Sequence, residues 1–102
     1  MSLEVTLSVN NDVATINLSG QLDASSAELF QEKIKEAAAY DLRELILDLK
    51  NLDYMASAGL RVLIFSKQQM GSAVTIYLIN TQEMVKETIK KTGFHHSVVL
   101  EE

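Results

Sequence analysis

Short apolar runs of strand character alternate along this chain with segments of helical spacing, and that alternation limits the possible folds more than any single residue does. "LEVTLSV" sets Leu3, Val5, Leu7 and Val9 against polar neighbours at period two, the pattern of a strand buried on one side. "NND" after it reads as a turn, because Asn and Asp tolerate left-handed backbone and hydrogen-bond to their own main chain. "VATINLSG" resumes with Val13, Ile16 and Leu18, so the first two runs are predicted to form a hairpin. "ELILDL" is almost continuously apolar, which predicts a strand covered on both faces. "AVTIYLIN" is a further apolar strand, and "HSVVLEE" supplies a short last strand at an edge, where its two terminal acids guard against pairing.

Three helical segments lie between these runs. In "DASSAELFQEKIKEAAAY", Ala27, Phe30, Ile34, Ala37 and Ala38 recur on one face. Asp23, Ser25 or Ser26 is available as the cap, and Ser25 with Glu28 fits a capping box. In "AGLRVLIFSKQQM" the spacing places Leu60, Leu63, Ile64 and Met70 on the inner face, with Gly71 as the stop. In "TQEMVKETIKKTG" the apolar side is Met84, Val85, Thr88 and Ile89, with Thr81 able to cap and Gly93 at the end. The order β-β-α-β-α-β-α-β calls for one antiparallel hairpin followed by parallel crossovers. The expected fold is therefore α/β: a mixed sheet of about five strands, largely parallel after the first hairpin, packed with three helices that leave one face less covered.

Several functions are disfavoured by composition. With 102 residues, one domain is expected. The net charge is −5, and the nine basic residues are scattered apart from Lys90-Lys91, which argues against a nucleic-acid surface. No cysteine is present, so neither a disulfide nor a thiolate metal site is available, and no metal or cofactor is expected. The N-terminal residues lack the pattern of a signal peptide, and no apolar run approaches the ~20 residues of a membrane span. A cytoplasmic protein without membrane insertion is the expectation.

Chemistry concentrates at the corner "NLDYMASAGL", where one hydroxyl, Ser57, stands among Met55, Ala56, Ala58, Gly59 and Leu60. Ser57 admits four readings. As a plain helix N-cap it would contribute about 1 kcal/mol, but a cap does not explain Gly59, which costs up to ~1 kcal/mol against alanine in a helix. As a nucleophile it would need a base from His95 or His96 and an acid such as Asp23 or Asp53, and Met55 stands where an elbow motif has its first glycine. As part of an anion site it lacks both a lysine after the glycine and a phosphate-cradling run of glycines, and Asp23 and Asp53 would repel the ligand. As a serine that another protein phosphorylates, it sits on a small neutral knob suited to docking, where added charge of about −1.5 to −2 would oppose the contact. Gly59 would then give the modifying enzyme access.

Taken together, "INLSGQLDASSAELF", "LILDLKNLDYMASAGLRVLIFSKQQM" and "LINTQEMVKETIKKTGF" resemble the STAS domain of bacterial anti-sigma factor antagonists over nearly the whole chain. The shared pattern comprises L-x-G-x-L-D (Leu18, Gly20, Leu22, Asp23), D-L-x-x-L-x-Y-M (Asp48, Leu49, Leu52, Tyr54, Met55), S-x-G-L (Ser57, Gly59, Leu60) and Gly93-Phe94. The resemblance implies a single STAS domain over residues 1–102 and a non-enzymatic, partner-switching role. In that family the antagonist binds an anti-sigma factor that is itself a GHKL-type serine kinase, is inactivated by phosphorylation and is restored by a PP2C-type phosphatase. The phosphorylated serine falls on Ser57. Asp23, Met55, Ala56, Ala58, Gly59, Leu60 and Arg61 become the candidate partner contacts. The sequence departs from the pattern at Ala56, where the motif has aspartate, and at Ala58, where it has Ser or Thr; Thr81-Gln82 replaces a customary proline. A second possibility within the resemblance is a constitutive STAS adaptor in a multiprotein assembly, such as a lipid-transport ATPase, with Ser57 only a helix cap.

Overall fold

The computed structural model describes residues 2–101. Its strands are β1 (Leu3–Asn10), β2 (Val13–Leu22), β3 (Glu44–Met55), β4 (Thr75–Ile79) and β5 (Val99–Leu100). The helices are α1 (Ala27–Ala38), α2 (Ser57–Met70) and α3 (Glu83–Lys91), with a 3-10 turn at Phe94–His96 before β5. The element order is the one the alternation predicts. The strands lie side by side in sequence order; β1 pairs antiparallel with β2, and every later pair is parallel. Asn11 takes φ 57° in the first turn, the left-handed backbone that Asn tolerates. Arg43 pairs with the Asp12 carboxylate and so ties this turn to the start of β3.

Successive right-handed crossovers that each advance one strand in the same direction deposit their helices on the same face. Register bears this out. Val5 lies opposite Leu18 and Leu7 opposite Ile16; Ile16 then neighbours Leu47, which neighbours Leu78. This row is capped by Phe30, Ile34 and Ala37 of α1, Val62 and Leu63 of α2, and Val85 and Ile89 of α3. The opposite face carries Thr15, Ile46 and Tyr77, all half-buried. β3 is thus not covered on both faces as its apolar run suggests: its first half alternates, with Leu45, Leu47 and Leu49 fully buried between partly exposed residues. β3 also continues six residues beyond "ELILDL", to Met55.

Helix ends or faces differ from the pattern reading at each of the three helices. Around α1 the capping box does not form; Ser26, not Ser25, is the N-cap, without a side-chain cap bond. Gln82 rather than Thr81 precedes α3, and the Thr81 hydroxyl is buried without a partner. On α3 only Val85 and Ile89 turn inward, and Met84 is left 64% exposed. The inner row of α2 is Gly59, Val62, Leu63 and Ser66; Leu60 and Met70 pack against the core while partly exposed, and Ile64 lies on the outer side. The buried Ser66 hydroxyl donates to the Leu63 carbonyl at 2.6 Å, within its own helix.

One-sided packing has a measurable consequence. Phe30→Ala, at a fully buried site between α1 and the sheet, should lower stability by about 3–5 kcal/mol in chemical denaturation. Ile46→Ala, on the open face, should lose less than half as much.

Candidate functional site

The corner is built by the ends of β2 and β3. Their parallel pairing runs through two irregularities, between Asn17 and Ser19 and between Gly20 and Gln21, and finishes with Leu22 beside Met55. Gly20 takes φ +109°, and a side chain there would meet the Ser2 carbonyl at 2.2 Å, so only glycine lets β1 lie against this irregular stretch. Beyond the last pair, the Ala56 amide donates to the Leu22 carbonyl at 2.8 Å. That bond holds the loop opening at Asp23 next to the start of α2, so residues far apart in sequence become neighbours at the carboxyl ends of two strands.

Ser57 is exposed, and its hydroxyl makes no hydrogen bond. It is not the helix cap. Ala56 holds that position with φ −89° and ψ 174°, and its carbonyl accepts from Gly59 and Leu60 at 2.9 and 3.2 Å. Ser57 is the first helical residue. At helical spacing it shares a side of α2 with Leu60, Arg61 and Ile64. Leu60 is half-exposed, Ile64 is 44% exposed, and the exposed Arg61 has no ion-pair partner among the described residues. Pattern analysis missed Ile64 as a surface residue because α2 is apolar on nearly every side. Ala56 and Ala58, both half-exposed, complete a small neutral surface around the hydroxyl.

Two candidate contacts lie underneath. Met55 is 4% exposed and Gly59 is buried. A Cβ on Gly59 would stand 2.6 Å from Leu22 Cγ, 2.7 Å from Leu22 Cδ2 and 3.0 Å from Met55 Cγ. The glycine therefore admits the side chains below it, which corrects the expectation that it opens the backbone to a visitor. Met55 also lines a small cavity of about 80 Å³ with Asp53, Tyr54, Met84, Val85 and Thr88. Tyr54 and Met84, both substantially exposed, add apolar surface beside the corner that helical spacing had assigned to the core in the case of Met84.

Asp23 is partly exposed and organises its loop. Its Oδ1 accepts from the Ser25 amide at 3.0 Å and the Ser25 hydroxyl at 2.7 Å. The buried Ser26 hydroxyl accepts from the Asp23 amide at 3.0 Å and donates to the Gln21 carbonyl at 2.9 Å, which locks the end of β2 to the start of α1. Nothing in the sequence separates Ser26 from Ser25 for this task. The Ser25 hydroxyl holds the Asp23 carboxyl below its usual range; desolvation, the next largest effect, opposes it, and lesser contributions from the Ser25 and Ser26 amides and the Ser26 hydroxyl add to the lowering. Since the folded value is depressed, the loop's stabilisation is present above the ordinary aspartate range and lost as pH falls through the folded value.

Among the described residues no base is paired with the Ser57 hydroxyl. His95 and His96 sit in the 3-10 turn leading into β5, at the end of the parallel strands opposite to the one from which Ser57 emerges. Their rings lie against each other, with centroids 3.9 Å apart. Asp53 accepts from Gln82 Nε2 at 3.3 Å.

The family model for the STAS domain matches residues 4–102. The chain belongs to the STAS domain family. Among its STAS relatives is the anti-sigma-F factor antagonist RsfB of Mycobacterium tuberculosis, 26% identical over 92 residues, which cover 90% of this chain and 75% of RsfB. A solved anti-sigma factor antagonist from Mycobacterium paratuberculosis superposes with a TM-score of 0.89 at 20% identity, over 97% of this chain and 85% of that one. The Bacillus cell-fate determinant SpoIIAA in its phosphorylated form superposes with a TM-score of 0.74 at 20% identity, over 97% and 92% of the two chains. These solved structures share the fold over nearly the whole chain. No helix among the described residues is long and apolar enough to cross a membrane.

Two substitutions separate support from surface at this corner. Gly59→Ala should destabilise by about 1–3 kcal/mol through overpacking against Leu22 and Met55, whereas Ser57→Ala should stay within about 0.5 kcal/mol of the parent in thermal or chemical unfolding. In a carbon-detected NMR titration, Asp23 should titrate below the ordinary aspartate value of about 3.9, and Ser25→Ala should move it upward.

Proposed function

We propose that this protein is an anti-sigma factor antagonist that works without catalysis of its own, by exchanging partners. The observation that carries the reading is the free, exposed hydroxyl of Ser57 at the head of a helix side formed by Leu60, Arg61 and Ile64. The names of its STAS relatives support it. Asp23, Ala56, Ala58, Leu60 and Arg61 make the direct contacts with an anti-sigma factor, while Met55 and Gly59 hold that surface up from below. The partner is an anti-sigma factor with a GHKL-type serine kinase site, and the protein is cytoplasmic.

Phosphorylation of Ser57 is the switch in this reading. The position suits it physically. Amides at a helix N-terminus favour negative charge, so the fold tolerates a phosphate there. A partner surface matched to Ala56, Ala58 and Leu60 would have to desolvate or repel the added charge. Arg61, one helical turn along, lies within reach of a phosphate on residue 57, and a PP2C-type phosphatase reverses the step. A constitutive adaptor draws support from Ala56 and Ala58, which deprive a kinase of polar handles, but its premise that Ser57 is a cap does not hold.

The test is incubation with ATP and the anti-sigma kinase encoded nearest to this protein's gene. The expected result is a gain of one phosphate at Ser57 that is absent from Ser57→Ala. Ser57→Asp should weaken binding to that kinase by about tenfold or more while leaving the melting temperature nearly unchanged. Tight binding without any phosphorylation would leave the adaptor reading in its place.

A further inference from the structure

The edges of the sheet are guarded unequally. An exposed strand edge offers unpaired amides and carbonyls to any other strand, and proteins blunt it with short length, proline, lysine or a bulge. β5 is two residues long and is followed by Glu101. β1 has eight residues, pairs with β2 alone and keeps an unbroken register from Leu3 to Asn10. It contains no proline and no lysine, and its one charge is Glu4. Alongside this edge lies an open groove of about 440 Å³, lined by Leu3, Glu4, Val5, Thr6, Leu29 and Lys33. Leu29 is 53% exposed there.

We propose that a second copy of this chain occupies the edge, with β1 pairing antiparallel to β1 about a two-fold axis at Thr6. The argument rests on polarity and register. "LEVTLSV" alternates apolar and polar residues identically from either end. Residues directly opposite in an antiparallel pair point to the same face. Centring on Thr6 sets Leu3 opposite Val9 and Val5 opposite Leu7, all on the helix side. Glu4 falls opposite Ser8, and Thr6 opposite itself, on the open side. No like charges meet. The half-buried Leu7 and Val9 of each copy come to lie against the Leu3–Val5–Leu29 groove of the other. Centring on Leu7 instead would leave Leu3 opposite the left-handed Asn11 of the turn. The interface is isologous, so it closes as a dimer rather than a fibre. It uses none of the residues around Ser57, so each copy keeps that surface free, and the inference stands apart from the proposed function.

Sedimentation equilibrium of the unaltered chain across micromolar to millimolar concentration should show a monomer–dimer equilibrium. Thr6→Glu/Ser8→Glu places like charges opposite one another at three positions of this register, all exposed on the open side. It should weaken dimerisation by more than about tenfold with a melting temperature close to that of the parent at low concentration. Because the chain has no cysteine, Thr6→Cys supplies one thiol per copy. Under mild oxidation it should form a disulfide-linked dimer far faster than Gln68→Cys, a control exposed on α2. A chain that stays monomeric throughout overturns the proposal. So does a dimer insensitive to the double glutamate variant, or cross-linking through Thr6→Cys no faster than the control.

Discussion

Leu22 occupies the space that a side chain on residue 59 would fill, and the seating of α2 follows from that contact. β2 and β3 must run in parallel to their last pair for Leu22 and Met55 to lie together under the helix. The hydrogen bond from Ala56 to the Leu22 carbonyl then fixes where the helix begins. With the start and the inner row both set, Ser57, Arg61 and Ile64 are turned outward, and Leu60 lies between them and the core, partly exposed. The surface that a partner would meet is thus a consequence of close packing beneath it. A free hydroxyl on such a seat can be altered chemically while the support below stays in place.

Asp23 and its two serines brace the same corner from the other strand. The carboxylate is spent on its own loop, accepting bonds from Ser25, while Ser26 closes the gap between β2 and α1. The loop beside Ser57 is therefore shaped by local hydrogen bonds rather than left to adjust on contact. A pre-shaped loop loses less conformational freedom when it binds. Both halves of the candidate surface are fixed before any partner arrives, one by apolar packing and the other by polar satisfaction.

Much of this was legible in the chain. Period-two alternation from Leu3 to Val9, the Asn-rich turn and the alternation of strand and helix sufficed for the hairpin, the parallel crossovers and the number of strands. The resemblance at Asp23, Ser57 and Gly59 located the corner. The errors cluster where pattern is ambiguous. α2 carries Leu60, Val62, Leu63, Ile64 and Phe65, so apolar spacing alone cannot choose its inner face. Met84 and Val85 compete in the same way on α3. The continuous apolar run of β3 suggested two covered faces because Ile46 resembles a core residue, although it lies on the open side.

The linear order of residues determined on its own which segments become strands and helices, and with that the handed path that sends all three helices to one side. These depend on local propensity and on spacing within a few residues. Only the folded molecule decided that Ser57 begins its helix rather than capping it, that Gly59 serves the interior, and that Ile64 and Met84 face outward. Those outcomes rest on contacts between distant parts of the chain, above all Leu22 with Gly59, and no local pattern encodes which side chain will claim a shared volume.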